Sequence, residues 1–70
     1  MKNCYIKRID KKTKKVQHFI SFIPLGSLGY AEHWIEEPHY LTFQEAEYAF
    51  LRLTSDTDNI EKYTFNLVQS

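Results

Sequence analysis

The stretch that decides the fold is residues 41–54, Leu-Thr-Phe-Gln-Glu-Ala-Glu-Tyr-Ala-Phe-Leu-Arg-Leu-Thr. Thr42 and Glu45 have the spacing of a capping box, in which each side chain accepts a hydrogen bond from the other residue's backbone N–H. At about 100° per residue, the apolar side chains of this stretch fall on one face. They are Phe43, Ala46, Ala49, Phe50 and Leu53. The pattern predicts an amphipathic helix from Phe43 to Thr54 that packs on a sheet through this stripe.

Three other segments have the composition of β-strands. Residues 3–9 and 16–23 are rich in β-branched and aromatic side chains, and residues 60–68 alternate between apolar and polar. The turn at Asp10–Lys15 suits a hairpin, since an aspartate that starts a turn accepts hydrogen bonds from backbone N–H groups just after it. Lys14 stands where glycine would ease a left-handed conformation, so we expect either mild backbone strain or a different loop.

The connection at residues 24–41 is the least specified part of the chain. Within it, Ala31–Ile35 fits either a short strand or one helical turn. We therefore predict one α+β domain over residues 1–70, because seventy residues leave no room for a second. It has a mainly antiparallel sheet of three strands, or four if this segment is a strand, with one amphipathic helix on one face. The predicted order is β-β-short element-α-β.

The composition is typical of a packed domain in a reducing compartment. The chain has five Phe, five Tyr and one Trp, but only two Gly and two Pro. Its single cysteine, Cys4, has no partner for an internal disulfide, and neither an apolar leader nor a membrane-spanning run follows Met1. We therefore expect a cytoplasmic protein.

No motif for catalysis, a cofactor or a metal stands out. Gly26–Gly29 lacks the lysine and the helix that follow in a phosphate-binding loop. His33 and His39 match neither a helical histidine pair nor a zinc finger, and Asp56–Asn59 lacks the glycine of a calcium loop. We predict that the chain is not an enzyme, with no catalytic residues, no cofactor and no metal ligands.

The first two strands carry apolar residues on both of their faces. Strict alternation places Val16, Ile20 and Phe22 on one face of the second strand, and Phe19 and Ile23 on the other. A second apolar face needs a cover. That cover is either residues 24–41 folding back, a second copy in a homodimer, or another protein. Tyr48 and Leu51, outside the core stripe of the helix, form a smaller candidate patch.

The first functional hypothesis is a non-catalytic protein-binding module. Aromatic side chains dominate protein contacts, so its predicted anchors lie on the second sheet face and the aromatic connection. They are Phe19, Ile23, Tyr30 and Trp34. The chain is compatible with a small bacterial or phage accessory protein that regulates or inhibits a larger host protein. A self-associating structural protein is one alternative.

The other alternative is nucleic-acid binding through the basic hairpin. Seven of the nine Lys and Arg residues lie in residues 1–15, although the net charge is zero. The lysines at the hairpin tip suit contacts with phosphates. They are Lys11, Lys12, Lys14 and Lys15. A solvated turn that guards an edge strand explains them too, and the zero net charge favours that interpretation.

Overall fold

The computed structural model describes all 70 residues as an antiparallel sheet of five strands with one main helix packed on it. The elements are β1 (Lys2–Asp10), β2 (Val16–Pro24), a 3₁₀ turn (Gly26–Leu28), β3 (Tyr30–Ile35), β4 (Leu41–Thr42), α1 (Phe43–Thr54), α2 (Thr57–Lys62) and β5 (Tyr63–Gln69). The predicted α+β fold is confirmed. None of the helices is long and apolar enough to cross a membrane.

Strand β1 lies at the centre of the sheet. Along one edge it pairs with β5, from Cys4 to Asp10. Along the other edge its end at Lys7–Ile9 pairs with β2, while Cys4 also pairs with Leu41 of β4. Because β3 pairs with β2, the two long edge strands are β3 and β5. The short element predicted around residues 31–35 is therefore a strand, and it extends the sheet.

Helix α1 has the boundaries and the cap that the sequence predicts. The backbone N–H of Glu45 donates to Thr42 Oγ1 at 3.1 Å, and the N–H of Thr42 donates to Glu45 Oε1 at 3.0 Å. The Thr42 N–H and the Thr42 hydroxyl both donate to Glu45 Oε1, and these two bonds hold the pKa of Glu45 below its usual value because they favour the carboxylate. The N-terminus of the helix is therefore fixed by a local signal.

The core lies between α1 and the sheet. Seven apolar residues are buried there: Cys4, Ile6, Phe19, Leu41, Ala46, Ala49 and Leu53. The two alanines allow the helix to approach the strands closely, and Phe50 packs at the margin. Phe43, predicted as part of the stripe, is instead 46% exposed. As the first residue of the helix, it lies at the end of the stripe.

The strict alternation predicted for residues 16–23 fails in the middle of β2. The register between β2 and β3 shifts between Phe19 and Ser21. Phe19 and Phe22 therefore face the same side of the sheet, with ring centroids 4.9 Å apart. An irregularity of this kind changes which side chains share a face, so the predicted separation of Phe19 from Phe22 is wrong.

The last strand begins later than predicted, at Tyr63 instead of residue 60. Residues Thr57–Lys62 form helix α2, and its N-cap is Asp56, which accepts a hydrogen bond from the N–H of Asp58 at 2.9 Å. The turn-forming residues that end α1 thus also start a second helix. Ile60 lies in this helix and not in the strand.

The hairpin between β1 and β2 has the predicted turn chemistry. Asp10 Oδ1 accepts hydrogen bonds from the N–H groups of Lys12 and Thr13, at 2.8 and 3.0 Å. These bonds lower the pKa of Asp10. Lys14 adopts the left-handed conformation, with φ of 65°. The conformation that favours glycine is therefore occupied by a lysine.

We expect Lys14→Gly to raise the free energy of unfolding by up to about 1 kcal/mol. Glycine relieves the steric cost of the left-handed conformation, although it also gains entropy in the unfolded chain. Urea denaturation followed by circular dichroism measures the change. Lys12→Gly is the matched control, because Lys12 has no positive φ, and it should lower stability. Equal effects of the two substitutions would contradict a specific strain at Lys14.

Candidate protein-interaction surfaces

The structure does not bring the four predicted anchors together on one surface. Phe19 is only 2% exposed and belongs to the core, so its assignment as an anchor is corrected. Trp34, its cross-strand partner, is half-buried against the same core. Tyr30 lies on the same side of the sheet as Trp34 but is exposed, whereas Ile23 is exposed on the opposite side. The register shift in β2 puts Phe19 and Ile23 on opposite faces of the sheet, although simple alternation predicted one face for both.

The sheet face opposite α1 is only partly covered, and we call it the open face. Cross-strand partners in an antiparallel sheet share a face, so the register identifies its apolar members. They are Tyr5, Ile9, Val16, Ile23, Ile35 and Val68. No helix contacts this face. Folding back of residues 24–41 is one of the three predicted covers, and it occurs only in part. Tyr40 packs edge-on against Tyr5, with ring centroids 5.6 Å apart, whereas Tyr30–Ile35 forms β3 and widens the sheet.

His18 is the buried polar residue of the open face. Its Nδ1 donates to the backbone carbonyl of Glu36 at 3.0 Å, since a carbonyl only accepts. Its ring also packs edge-on against Tyr5, with centroids 5.4 Å apart. The imidazole thus ties β2 to the residue after β3. No group of three His, Cys, Asp or Glu side chains in the protein is placed to hold a metal ion.

Arg8 occupies the α1 side of the sheet, where it is sandwiched between two rings. Its guanidinium carbon lies 4.1 Å from the ring centroid of Trp34 and 4.2 Å from that of Tyr63. It donates to Gln17 Oε1 at 2.8 and 3.0 Å and lies 3.6 Å from Glu32 Oε1. Burial lowers its pKa, while Tyr63 and Glu32 oppose that shift.

The groups around Arg8 are fully engaged with one another, which indicates a structural role. Glu32 also accepts hydrogen bonds from Trp34 Nε1 at 3.0 Å and from Asn59 Nδ2 at 3.1 Å. This cluster was not predicted from the sequence. A signal was present, because Arg8 has the same parity along β1 as Cys4 and Ile6, and it therefore points to the core side.

A second arginine, Arg52, lies among aromatic rings at the exposed margin between α1 and the sheet. Its guanidinium carbon is 5.1, 5.2 and 5.7 Å from the centroids of Tyr30, Phe22 and Tyr48, respectively. Arg52 Nη1 donates to Tyr48 Oη at 2.8 Å, and this bond raises the pKa of Arg52. With the adjacent Leu51, these residues form what we call the Arg52 cluster.

The Arg52 cluster differs from the Arg8 cluster in exposure and in charge pairing. Tyr30, Tyr48 and Leu51 are each more than half exposed. The ion pairs of the protein are Arg8–Glu32 and Lys15–Glu36, so the Arg52 guanidinium has no carboxylate within 4.0 Å. Arg52 borders two depressions, one shared with Tyr48 and Leu51, the other with Tyr30 and the carboxylates of Glu32 and Asp56. The outward position of Tyr48 and Arg52 was predictable from helix spacing, but the approach of Tyr30 depends on the path of β3.

The basic hairpin tip lies beside α2, and two of its four lysines have partners in the protein. Lys11 Nζ donates to the carbonyl of Ile60 at 2.7 Å, and Lys15 Nζ lies 3.9 Å from Glu36. Backbone pairing of Lys11 with Lys62 brings a further lysine to the tip. Asp10 and Glu61 line the same depression as Lys11, Lys12 and Lys62. The basic surface is thus interrupted by carboxylates.

No protein-family model, curated protein or solved structure matches this chain. Its function is therefore inferred from the chemistry of its own surfaces.

Proposed function

We propose that the protein is a non-catalytic protein-binding module whose principal contact is the Arg52 cluster. The observation that supports this most strongly is an exposed arginine held against tyrosine rings with no carboxylate partner of its own. Arginine and tyrosine are enriched at the centres of protein interfaces, where a few residues carry most of the binding energy. The cluster combines both residue types on one outward surface.

The geometry suits a partner that presents an aspartate or glutamate among apolar side chains. The hydrogen bond to Tyr48 orients the guanidinium, which reduces the side-chain entropy lost on binding. Tyr30 and Leu51 supply apolar area beside the charge. A surface that excludes water around a charge-assisted hydrogen bond strengthens it. None of these side chains pairs a nucleophile with a base.

The wider role in this proposal is that of a small cytoplasmic accessory protein, from a bacterium or its phage, that regulates or inhibits a larger host protein. Of the predicted anchors, Ile23 lies on the open face, away from the Arg52 cluster, and is not part of the principal contact. The free, buried thiol of Cys4 is compatible with a reducing compartment.

Affinity capture from a lysate of the source organism tests the proposal. The immobilised protein should retain a protein partner, and Tyr48→Ala or Arg52→Ala should weaken retention at least tenfold, as expected for a hot-spot residue. Tyr40→Ala is the matched control, because Tyr40 is an exposed tyrosine on the other side of the sheet. It should retain the partner. Circular dichroism of each variant verifies that it is folded.

Two results would contradict the assignment to the Arg52 cluster. One is that no protein is retained by the wild type. The other is that Tyr40→Ala abolishes retention while Tyr48→Ala leaves it intact, which would move the contact to the open face.

Nucleic-acid binding is the second candidate, favoured by Lys62 joining the hairpin lysines Lys11 and Lys12 at one depression. The same capture experiment separates the two functions. Loss of the partner after nuclease treatment, with retention falling steeply as salt rises, would favour a nucleic acid held through phosphates. A partner that survives nuclease favours the protein-binding module.

A further inference from the structure

The outer edge of β5 lacks the features by which proteins protect an edge strand from pairing. Its sequence, Tyr-Thr-Phe-Asn-Leu-Val-Gln, contains no charged residue and no proline. All seven of its residues pair with β1 without a shift in register. Charges, proline and bulges are the usual protective devices, so this edge is open to another strand.

The register identifies the backbone groups that point outward from β5. The N–H of Ser70 donates to Asn3, and the N–H of Lys11 donates to Lys62. In an antiparallel ladder the residues that bond to a given neighbour alternate, so the even-numbered residues of β5 bond to β1. The N–H and C=O groups of Phe65, Leu67 and Gln69 therefore face away from β1, and they make no hydrogen bond within the protein.

The other long edge, β3, is better protected. It has six residues, it carries Glu32 and His33, and it is paired to β2 across an irregular register. Charge and irregularity both disfavour the addition of a further strand. The contrast indicates β5 as the edge at which the sheet extends.

We propose that two copies of this chain pair antiparallel through β5, forming one continuous sheet about a two-fold axis at Asn66. In this register Phe65 of one copy faces Leu67 of the other, and both residues have outward backbone groups, so they exchange N–H···O hydrogen bonds. Gln69 of one copy faces Tyr63 of the other. The Tyr63 carbonyl is available to accept a hydrogen bond, but the Tyr63 N–H already donates to the carbonyl of Asn59. The same surface serves both copies, as a two-fold interface requires.

The side chains in this register are compatible on both faces. Phe65 and Leu67 form apolar pairs on the α1 side, beside the core against which both pack. On the open face, Thr64 of one copy lies opposite Val68 of the other, and Asn66 lies opposite Asn66. No like charges meet across the axis, and the open faces of the two copies become continuous. The inference does not depend on the Arg52 cluster, which the pairing does not use.

Sedimentation velocity tests the pairing with the substitution Asn66→Asp. Within one copy the new carboxylate lies opposite Lys7 of β1, and this opposite charge favours folding. In the dimer it also lies opposite the same new carboxylate of the second copy, and this like charge disfavours pairing. We expect wild type to shift from monomer to dimer between about 10 µM and 1 mM, and Asn66→Asp to weaken the dimer about tenfold. Asn3→Asp makes the same change on β1, which β5 separates from the second copy, so this variant should dimerise like wild type.

Amide hydrogen exchange of the wild type provides a readout that needs no variant. Exchange at Phe65 and Leu67 should slow as protein concentration rises, because their N–H groups become bonded only in the dimer. The proposal is overturned if the wild type stays monomeric over this range, or if these two amides exchange at a rate independent of concentration. It is also overturned if Asn66→Asp and Asn3→Asp dimerise equally well.

Discussion

Phe19→Ala is expected to lower the free energy of unfolding by about 3–5 kcal/mol, the range for truncation of a buried phenylalanine. Phe19 is 2% exposed, and its ring packs edge-on against those of Phe22 and Trp34, with centroids 4.9 and 5.4 Å away. A domain of this length has little stability to lose, so the variant should be largely unfolded. Urea denaturation, followed by Trp34 fluorescence and circular dichroism, measures the loss.

Phe43→Ala is the matched control for this prediction. It removes the same atoms from a ring that is about half exposed at the start of α1, so the expected loss is below about 1 kcal/mol. A folded Phe19→Ala variant with near wild-type stability would show that the ring is not part of the core. It would also restore Phe19 as a candidate contact for a partner.

Arg8→Met is expected to lower the free energy of unfolding by about 2–3 kcal/mol. The substitution keeps an apolar stem between Trp34 and Tyr63 but removes the charge that faces Glu32 and the donors to Gln17. The Arg8 side chain is only 14% exposed, and a carboxylate that loses a partly buried ionic partner is destabilised. Chemical denaturation measures the change.

Arg52→Met is the control for Arg8→Met and also bears on the proposed function. Arg52 lies among rings at the surface without a carboxylate partner, so its loss should cost less than about 1 kcal/mol. Equal destabilisation by the two substitutions would indicate that Arg52 is structural. A stable Arg52→Met variant leaves the residue available for a partner.

The parts of the fold that follow from local chemistry were predictable from the sequence. The boundaries of α1 depend on the Thr42 and Glu45 side chains, which cap the helix within a single turn. The hairpin depends on Asp10, whose carboxylate bonds the turn directly. The left-handed conformation at Lys14 is one of the two outcomes that the sequence predicted for this turn.

The parts that depend on tertiary packing were not predictable in the same way. The bulge after Phe19 changes which side chains reach the core, and alternation alone does not reveal it. The edge position of β3 places Tyr30 beside Arg52, although these residues are distant in sequence. Of the predicted anchors, Phe19 therefore lies in the core, whereas Ile23 and Tyr30 lie at the surface. The Arg52 cluster combines residues of β3 and α1, so it could be recognised only in the folded structure.

We expect a partner protein to contact the Arg52 cluster. Amide chemical-shift mapping by NMR, during titration with the protein retained in affinity capture, locates the contact. The largest changes should fall on Tyr30, Tyr48, Leu51 and Arg52, and Arg52→Ala should abolish them without changing the rest of the spectrum. Changes confined to the hairpin tip at Lys11–Lys15, or to the open face around Tyr5 and Val68, would contradict this expectation.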